Sequence, residues 1–177
     1  MRLVLIALVT GLLAQPVIAG SLPPPPTISG TARVIDGDTI SIRKQCIRLA
    51  AIDACEVDQA GFRRDVEWPC GKVARSFMRS IADGKHVECR VIDMDQYRRL
   101  VAQCFESGRD VGLAILAAGL AETLFRYLPK QHRMELKAYV AAEERAKAAR
   151  LEMWSAEIEK PSEYRQSRQT TPRTGRS

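Results

Sequence analysis

Apolar positions along the chain fall into one continuous run near the start, then short alternating stretches, then longer stretches of helical period. The run, Leu3 to Leu13, is interrupted only by Thr10 and Gly11. It is shorter than the roughly 18 apolar residues a spanning helix needs. Arg2 precedes it and Val17-Ile18-Ala19 follows it, so residues 1–19 read as a secretory signal cleaved after Ala19. The alternating stretches begin with Ala32-Arg33-Val34-Ile35 and Thr39-Ile40-Ser41-Ile42, which flank Asp36-Gly37-Asp38. A D-G pair between such runs predicts a β-hairpin. A third strand is predicted over Cys46 to Ile52 after a turn at Lys44-Gln45. Two more, His86 to Ile92 and Leu100 to Phe105, bracket a polar connection at Asp93 to Arg99. Val73, Ala74, Phe77, Met78 and Ile81 recur at helical spacing, with Gly84 just beyond. A second helix is predicted over Val111 to Ala118, ending near Gly119, and a long third one over Lys130 to Leu151.

Three strands, a helix, two strands and two helices predict an α+β fold: a five-stranded OB-fold β-barrel with three α-helices. Residues 20–29 carry Pro23 to Pro26 and read as a stiff linker, and residues 30–154 form the domain. Residues 155–177 are polar and basic and read as a disordered tail, whose Arg165, Arg168, Arg173 and Arg176 have the chemistry to touch phosphates but are taken as a solvated end. The 177 residues are 46% hydrophobic and 27% charged, which excludes collagen-like, coiled-coil and fully disordered classes. A formal net charge of +6 permits a polyanionic partner, and ordinary solubility also accounts for it.

Cys46, Cys55, Cys70, Cys89 and Cys104 include no C-x-x-C pair, and neither His86 nor His132 lies at ligand spacing from two of them. In an exported chain this pattern predicts disulfides rather than zinc. Cys89 and Cys104 lie roughly opposite in the predicted hairpin and should bond. Cys55 with Cys70 is the second expected pair, and Cys46 is left over. The mature protein is expected to be a secreted or periplasmic monomer without a membrane span.

Acids and arginines collect where strands meet loops. Asp36 and Asp38 straddle the first turn, Asp53 and Glu56 follow the third strand, Arg48 lies within it, and Arg98 and Arg99 follow Tyr97. Carboxylates suit a hard cation such as Ca²⁺, and guanidinium forks suit phosphate oxygens. Together they suggest phosphodiester chemistry, against the plainer reading of turn-forming acids and solvated arginines. Strand alternation puts Arg48 and Asp53 on opposite faces unless the strand breaks or bulges between them.

Val34-Ile35-Asp36-Gly37-Asp38-Thr39, Ile47 to Glu56 and Asp95-Gln96-Tyr97-Arg98-Arg99-Leu100-Val101-Ala102 occur in the order found in the thermonuclease (micrococcal nuclease-like) family, which this chain resembles from about Gly30 to Trp154. Ala118 to Ala121 and Leu151 to Trp154 extend the likeness. The resemblance implies an OB-fold with three helices and a Ca²⁺-dependent endonuclease that cuts DNA and RNA with little sequence specificity, leaving 3′-phosphates. It implies metal binding by Asp38, Asp53 and the backbone carbonyl of Ala54, with Glu56 as general base. Arg48 and Arg99 match its phosphate-binding arginines, and Asp36 lies beside the site. Tyr97, Phe125 and Tyr127 match aromatic positions around its nucleotide pocket, where bases would stack; packing at the barrel rim is the other reading of these rings. Ala54 and Cys55 stand where the family commonly has Thr and Pro, and Arg98 replaces a usual Gly, which would strain a positive φ. The competing class is a non-catalytic OB-fold module that binds single-stranded nucleic acid. Such a module has no need of acids beside a phosphate. A secreted, disulfide-stabilised interaction domain would explain the cysteines and leave the acids and arginines without a purpose.

Overall fold

A computed structural model describes residues 24–170. The signal segment expected over residues 1–19 lies outside the described residues, as do Arg173 and Arg176. In chain order the elements are β1 (Thr27–Val34), β2 (Thr39–Ile42), β3 (Gln45–Leu49), β4 (Ile52–Ala54), β5 (Gly61–Arg63) and β6 (Val66–Trp68). Helix α1 (Cys70–Ala82), β7 (His86–Met94), β8 (Leu100–Glu106), β9 (Arg109–Asp110) and α2 (Val111–Ala117) follow. The described chain ends with β10 (Ala121–Thr123), α3 (Leu136–Ala148), a 3₁₀ turn (Glu152–Ser155) and α4 (Pro161–Thr170).

The strands pair in the order β3-β2-β1-β7-β8, and a parallel pairing of β3 with β8 closes the circle. This is the expected five-stranded barrel. Strand β1 carries the corner: its first half, Thr27 to Thr31, pairs with β7 and its second half, Ala32 to Val34, with β2. Gly30 sits at the changeover with φ +152°, a backbone few side chains tolerate. Strand β1 therefore starts inside the stretch read as linker, because Thr27 to Ser29 find partners in Arg90 to Glu88.

Inward residues of the barrel and the helices laid against it form one core: Ile40, Ile42, Ile47, Leu49, Ile52, Met78, Val87, Ile115 and Leu116 are all essentially inaccessible to water. Full burial of such a side chain contributes about 1.5–3 kcal/mol. Disulfides Cys55–Cys70 and Cys89–Cys104 join buried cysteines and leave Cys46 free, as expected. Two such bonds suit an oxidising compartment. Among the described residues no helix is long and apolar enough to cross a membrane.

Several elements differ from the sequence expectation. The third strand stops at Leu49 and resumes as β4, with Ala51 at φ +67° between them. Helix α3 spans Leu136–Ala148 rather than Lys130 to Leu151. Glu135 caps its start by accepting from the Lys137 amide. Its end is a Schellman turn in which Arg150, at φ +50°, takes the place usually held by Gly, and Leu151 N donates to Ala146 O. The hairpin β5–β6 turns through Arg64 and Asp65, both at positive φ, without the Asn-Gly or Asp-Gly pair that announces such turns. The tail from residue 155 is ordered through α4. Pro161 opens that helix and is buried, so tertiary contact supplies what the polar sequence lacks.

Candidate active site

Four elements bring acids and arginines to one end of the barrel. The β1–β2 turn is built by Asp36, whose carboxylate accepts from the Asp38 amide at 3.0 Å, while Ile35 and Asp36 donate to Thr39 O. A Cβ on Gly37 would lie 2.8 Å from Ala54 Cβ and 3.0 Å from Ala74 Cβ, so the turn is pressed against β4 and α1. This close approach delivers Asp38 to β4, where its Oδ2 accepts from the Ala54 amide at 3.3 Å. Its Oδ1 accepts from the Thr39 hydroxyl at 2.8 Å.

The break at Ala50-Ala51 resolves the alternation problem. It turns Asp53 to the side of the sheet that Arg48 occupies, and the Arg48 guanidinium spans both acids, 2.9 Å from Asp38 and 2.7 Å from Asp53. The Asp53 side chain is fully buried, those of Asp38 and Arg48 nearly so. Burial opposes charge on Arg48, but Asp38 and then Asp53 outweigh it and hold the guanidinium above its ordinary range. Asp36 is pushed up to about 7, first by burial and then by the neighbouring charge of Asp38.

Glu56 lies two residues beyond β4 on a loop fixed from below. Gln59 is buried: its Oε1 accepts from the Glu56 amide at 3.1 Å, its own amide donates to Glu56 O, and its Nε2 donates to Glu159 O at 2.7 Å. Cys55–Cys70 ties the same loop to the start of α1. A Cβ on Gly71 would collide with Glu56 O, so only glycine lets the helix approach this closely.

Arg99 stands apart from the Arg48 cluster. Its Nε meets Asp95 at 2.7 Å and its amide donates to the same carboxylate, which closes the turn between β7 and β8. Those hydrogen bonds hold the Asp95 carboxyl below its usual range, against the opposing effect of its burial. Arg98 takes φ +65° in this turn, the left-handed conformation for which the missing glycine would have been suited. Tyr97 and Tyr127 are 64% and 66% exposed, with Arg99 5.5 Å and Arg126 4.7 Å from their respective ring centres, whereas Phe125 is half-buried against the core.

Three further residues bear on the site. Arg165, on α4, reaches Asp53 at 2.8 Å and Glu56 at 2.9 Å, which overturns its reading as part of a solvated end. Nothing in the sequence marks it beyond its charge. Glu122 pairs with Asp53 across β10 and β4, and burial, followed by the charge of Asp53, raises its carboxyl. Gln59 has no signal of its own in the sequence.

Among the described residues no three His, Cys, Asp or Glu side chains close a metal cage by themselves. Asp38 and Asp53 are hard oxygen donors of the kind a cation such as Ca²⁺ takes, and in this structure arginine holds them: Arg48 both acids, and Arg165 the second oxygen of Asp53. The guanidinium forks of Arg48 and Arg165 are the groups here that suit phosphate oxygens, and both are engaged by carboxylates.

The family model described as staphylococcal nuclease homologue matches residues 46–156. A "Probable endonuclease LCL3" of Phaeosphaeria nodorum is 34% identical over 113 residues, covering 62% of this chain and 37% of that protein. The "Succinoglycan biosynthesis protein ExoI" of Rhizobium meliloti is 34% identical over 97 residues, covering 53% of this chain and 51% of its own length. A "Probable endonuclease LCL3" of Verticillium alfalfae is 32% identical over 150 residues, covering 80% of this chain and 49% of that protein. The chain spans about half the length of these relatives, or less.

Proposed function

The chain belongs to the staphylococcal nuclease homologue family, and from that premise we propose that it is a secreted, Ca²⁺-dependent endonuclease hydrolysing phosphodiester bonds of DNA and RNA and leaving 3′-phosphates. The observation that carries this reading is the buried Arg48 fork between Asp38 and Asp53, with Glu56 on a clamped loop beside it.

Asp38, Asp53 and the carbonyl of Ala54 would hold the cation. A Ca²⁺ ion held there would supply neutralisation of the phosphate and stabilisation of its developing charge. Glu56 orients a water and takes its proton as that oxygen attacks phosphorus; the bond to the 5′-oxygen breaks, and the leaving oxygen takes a proton from solvent water. Arg99, and Arg48 through the N–H groups it does not give to Asp38 and Asp53, would donate to the phosphate oxygens as charge accumulates on them, an effect that often dominates catalysis. Asp95 positions Arg99 for this by gripping its Nε. Tyr97 and Tyr127 offer stacking faces that any base can use, which suits cleavage with little sequence preference.

The test is incubation of the mature protein with plasmid DNA and with RNA, in Ca²⁺ and in excess chelator. Degradation of both in Ca²⁺, with 3′-phosphate ends and none in chelator, is the expected result. Nucleic acid that is bound and never cut in Ca²⁺ would point to the binding-module reading, and equal cutting in chelator would eliminate the metal.

A further inference from the structure

We propose that α4 is a built-in plug of the active site, with Arg165 occupying the carboxylates that cation and water must use. The inference rests on the functional reading of Asp53 and Glu56 given above. Arg165 places one guanidinium nitrogen 2.8 Å from Asp53 Oδ2 and the other 2.9 Å from Glu56 Oε1. Arg48 already holds Asp53 Oδ1 at 2.7 Å, so both oxygens of a fully buried carboxylate face arginine nitrogens. A cation cannot take Oδ2, and a water cannot give its proton to this edge of Glu56, while Arg165 stays.

The seating of α4 is uneven, which is what a displaceable element requires. The segment leading to it is fixed: Phe62 and Glu157 exchange backbone hydrogen bonds at 2.9 and 2.8 Å, and Glu159 O accepts from buried Gln59. Pro161, at the start of the helix, is buried. Beyond Pro161 the anchoring is mixed: Arg165 is partly buried against Asp53, and the contacts on either side of it are more open. Arg168 meets Asp58 at 2.9 Å with both side chains about 60% exposed, and the Tyr164 hydroxyl donates to Asp58 O at 3.3 Å. Exposed ion pairs hold weakly and are screened by salt. The helix can therefore swing away about a fixed base, and a divalent cation competing for Asp53 favours that open form.

Occlusion lowers apparent affinity by the fraction of molecules that are open. If nine molecules in ten are plugged, removing the plug tightens Ca²⁺ binding about tenfold. The experiment is calorimetric titration of the full chain with Ca²⁺, comparing wild type with Arg165→Ala and Arg168→Ala, together with hydrogen exchange of α4 amides with and without Ca²⁺. The expected results are tighter Ca²⁺ binding by about tenfold in Arg165→Ala, a smaller gain in Arg168→Ala, and faster exchange of wild-type α4 when Ca²⁺ is bound. Unchanged or weaker binding in Arg165→Ala, with slower oligonucleotide cleavage, would overturn the plug and make Arg165 a working phosphate ligand. Binding of Ca²⁺ to none of the three proteins would overturn the metal site itself, and the plug with it.

Discussion

At the scale of single residues, Arg48 is the hinge of the account. Its fork satisfies two buried carboxylates that would otherwise repel each other, and removing one partner of such a cluster costs about 3–5 kcal/mol. Lysine keeps the charge but offers a point donor in place of two parallel N–H groups. Arg48→Lys should therefore lower kcat on an oligonucleotide by about 10²–10³-fold, the usual loss when one charge-stabilising donor is withdrawn. Circular dichroism should still report a folded barrel. Tyr97 and Tyr127 make a contrasting pair with Phe125. Both tyrosine rings are mostly exposed, so Tyr97→Leu or Tyr127→Leu should weaken binding of a nucleoside bisphosphate by about 1–3 kcal/mol while Tm barely moves. Phe125→Leu should lower Tm instead, because that ring packs on the core. Equal losses of Tm and affinity at the two tyrosines would show them to be packing residues.

At the scale of elements, the loop after β4 is held where α1 begins. Gly71→Ala would drive a methyl into Glu56 O, so it should lower Tm and abolish cleavage together. Replacing Cys55 and Cys70 by Ser removes the covalent tie, worth about 3 kcal/mol for a loop near 15 residues in the chain-entropy model. That variant should lose stability measured by urea unfolding and lose kcat through a looser Glu56. The first hairpin, the helix after Cys70, the last barrel strands and both disulfides were legible because apolar period, the Asp-Gly turn and opposed cysteines all act locally. The elements that escaped are those held by distant contacts. Arg64-Asp65 and Arg150 adopt positive φ without glycine or asparagine, so neither the β5–β6 turn nor the end of α3 was announced. Helix α4 has almost no apolar face and exists where Asp58 and the acids of the site meet it, just after Gln59 fixes Glu159. The break at Ala51 was not announced by the pattern, which read one strand over Cys46 to Ile52 and left open a break between Arg48 and Asp53. It is the step that lets Arg48 meet Asp53.

At the scale of the whole molecule, the barrel supplies rigidity and its rim supplies chemistry. Closure of β3 against β8 fixes Arg48 from one side, the β1–β2 turn brings Asp38 from another, and the disulfide-tied loop brings Glu56. A formal net charge of +6 over the full sequence permits a polyanionic partner, and ordinary solubility accounts for it as well. The central claim is that Glu56 takes the proton of an attacking water in a cation-dependent hydrolysis. Single-turnover cleavage of a fluorescent oligonucleotide by wild type and by Glu56→Gln, each at saturating Ca²⁺, measures that step directly. Glu56→Gln should bind the oligonucleotide normally and cut it about 10²–10⁴-fold more slowly. A Glu56→Gln protein that cuts at the wild-type rate would contradict that claim.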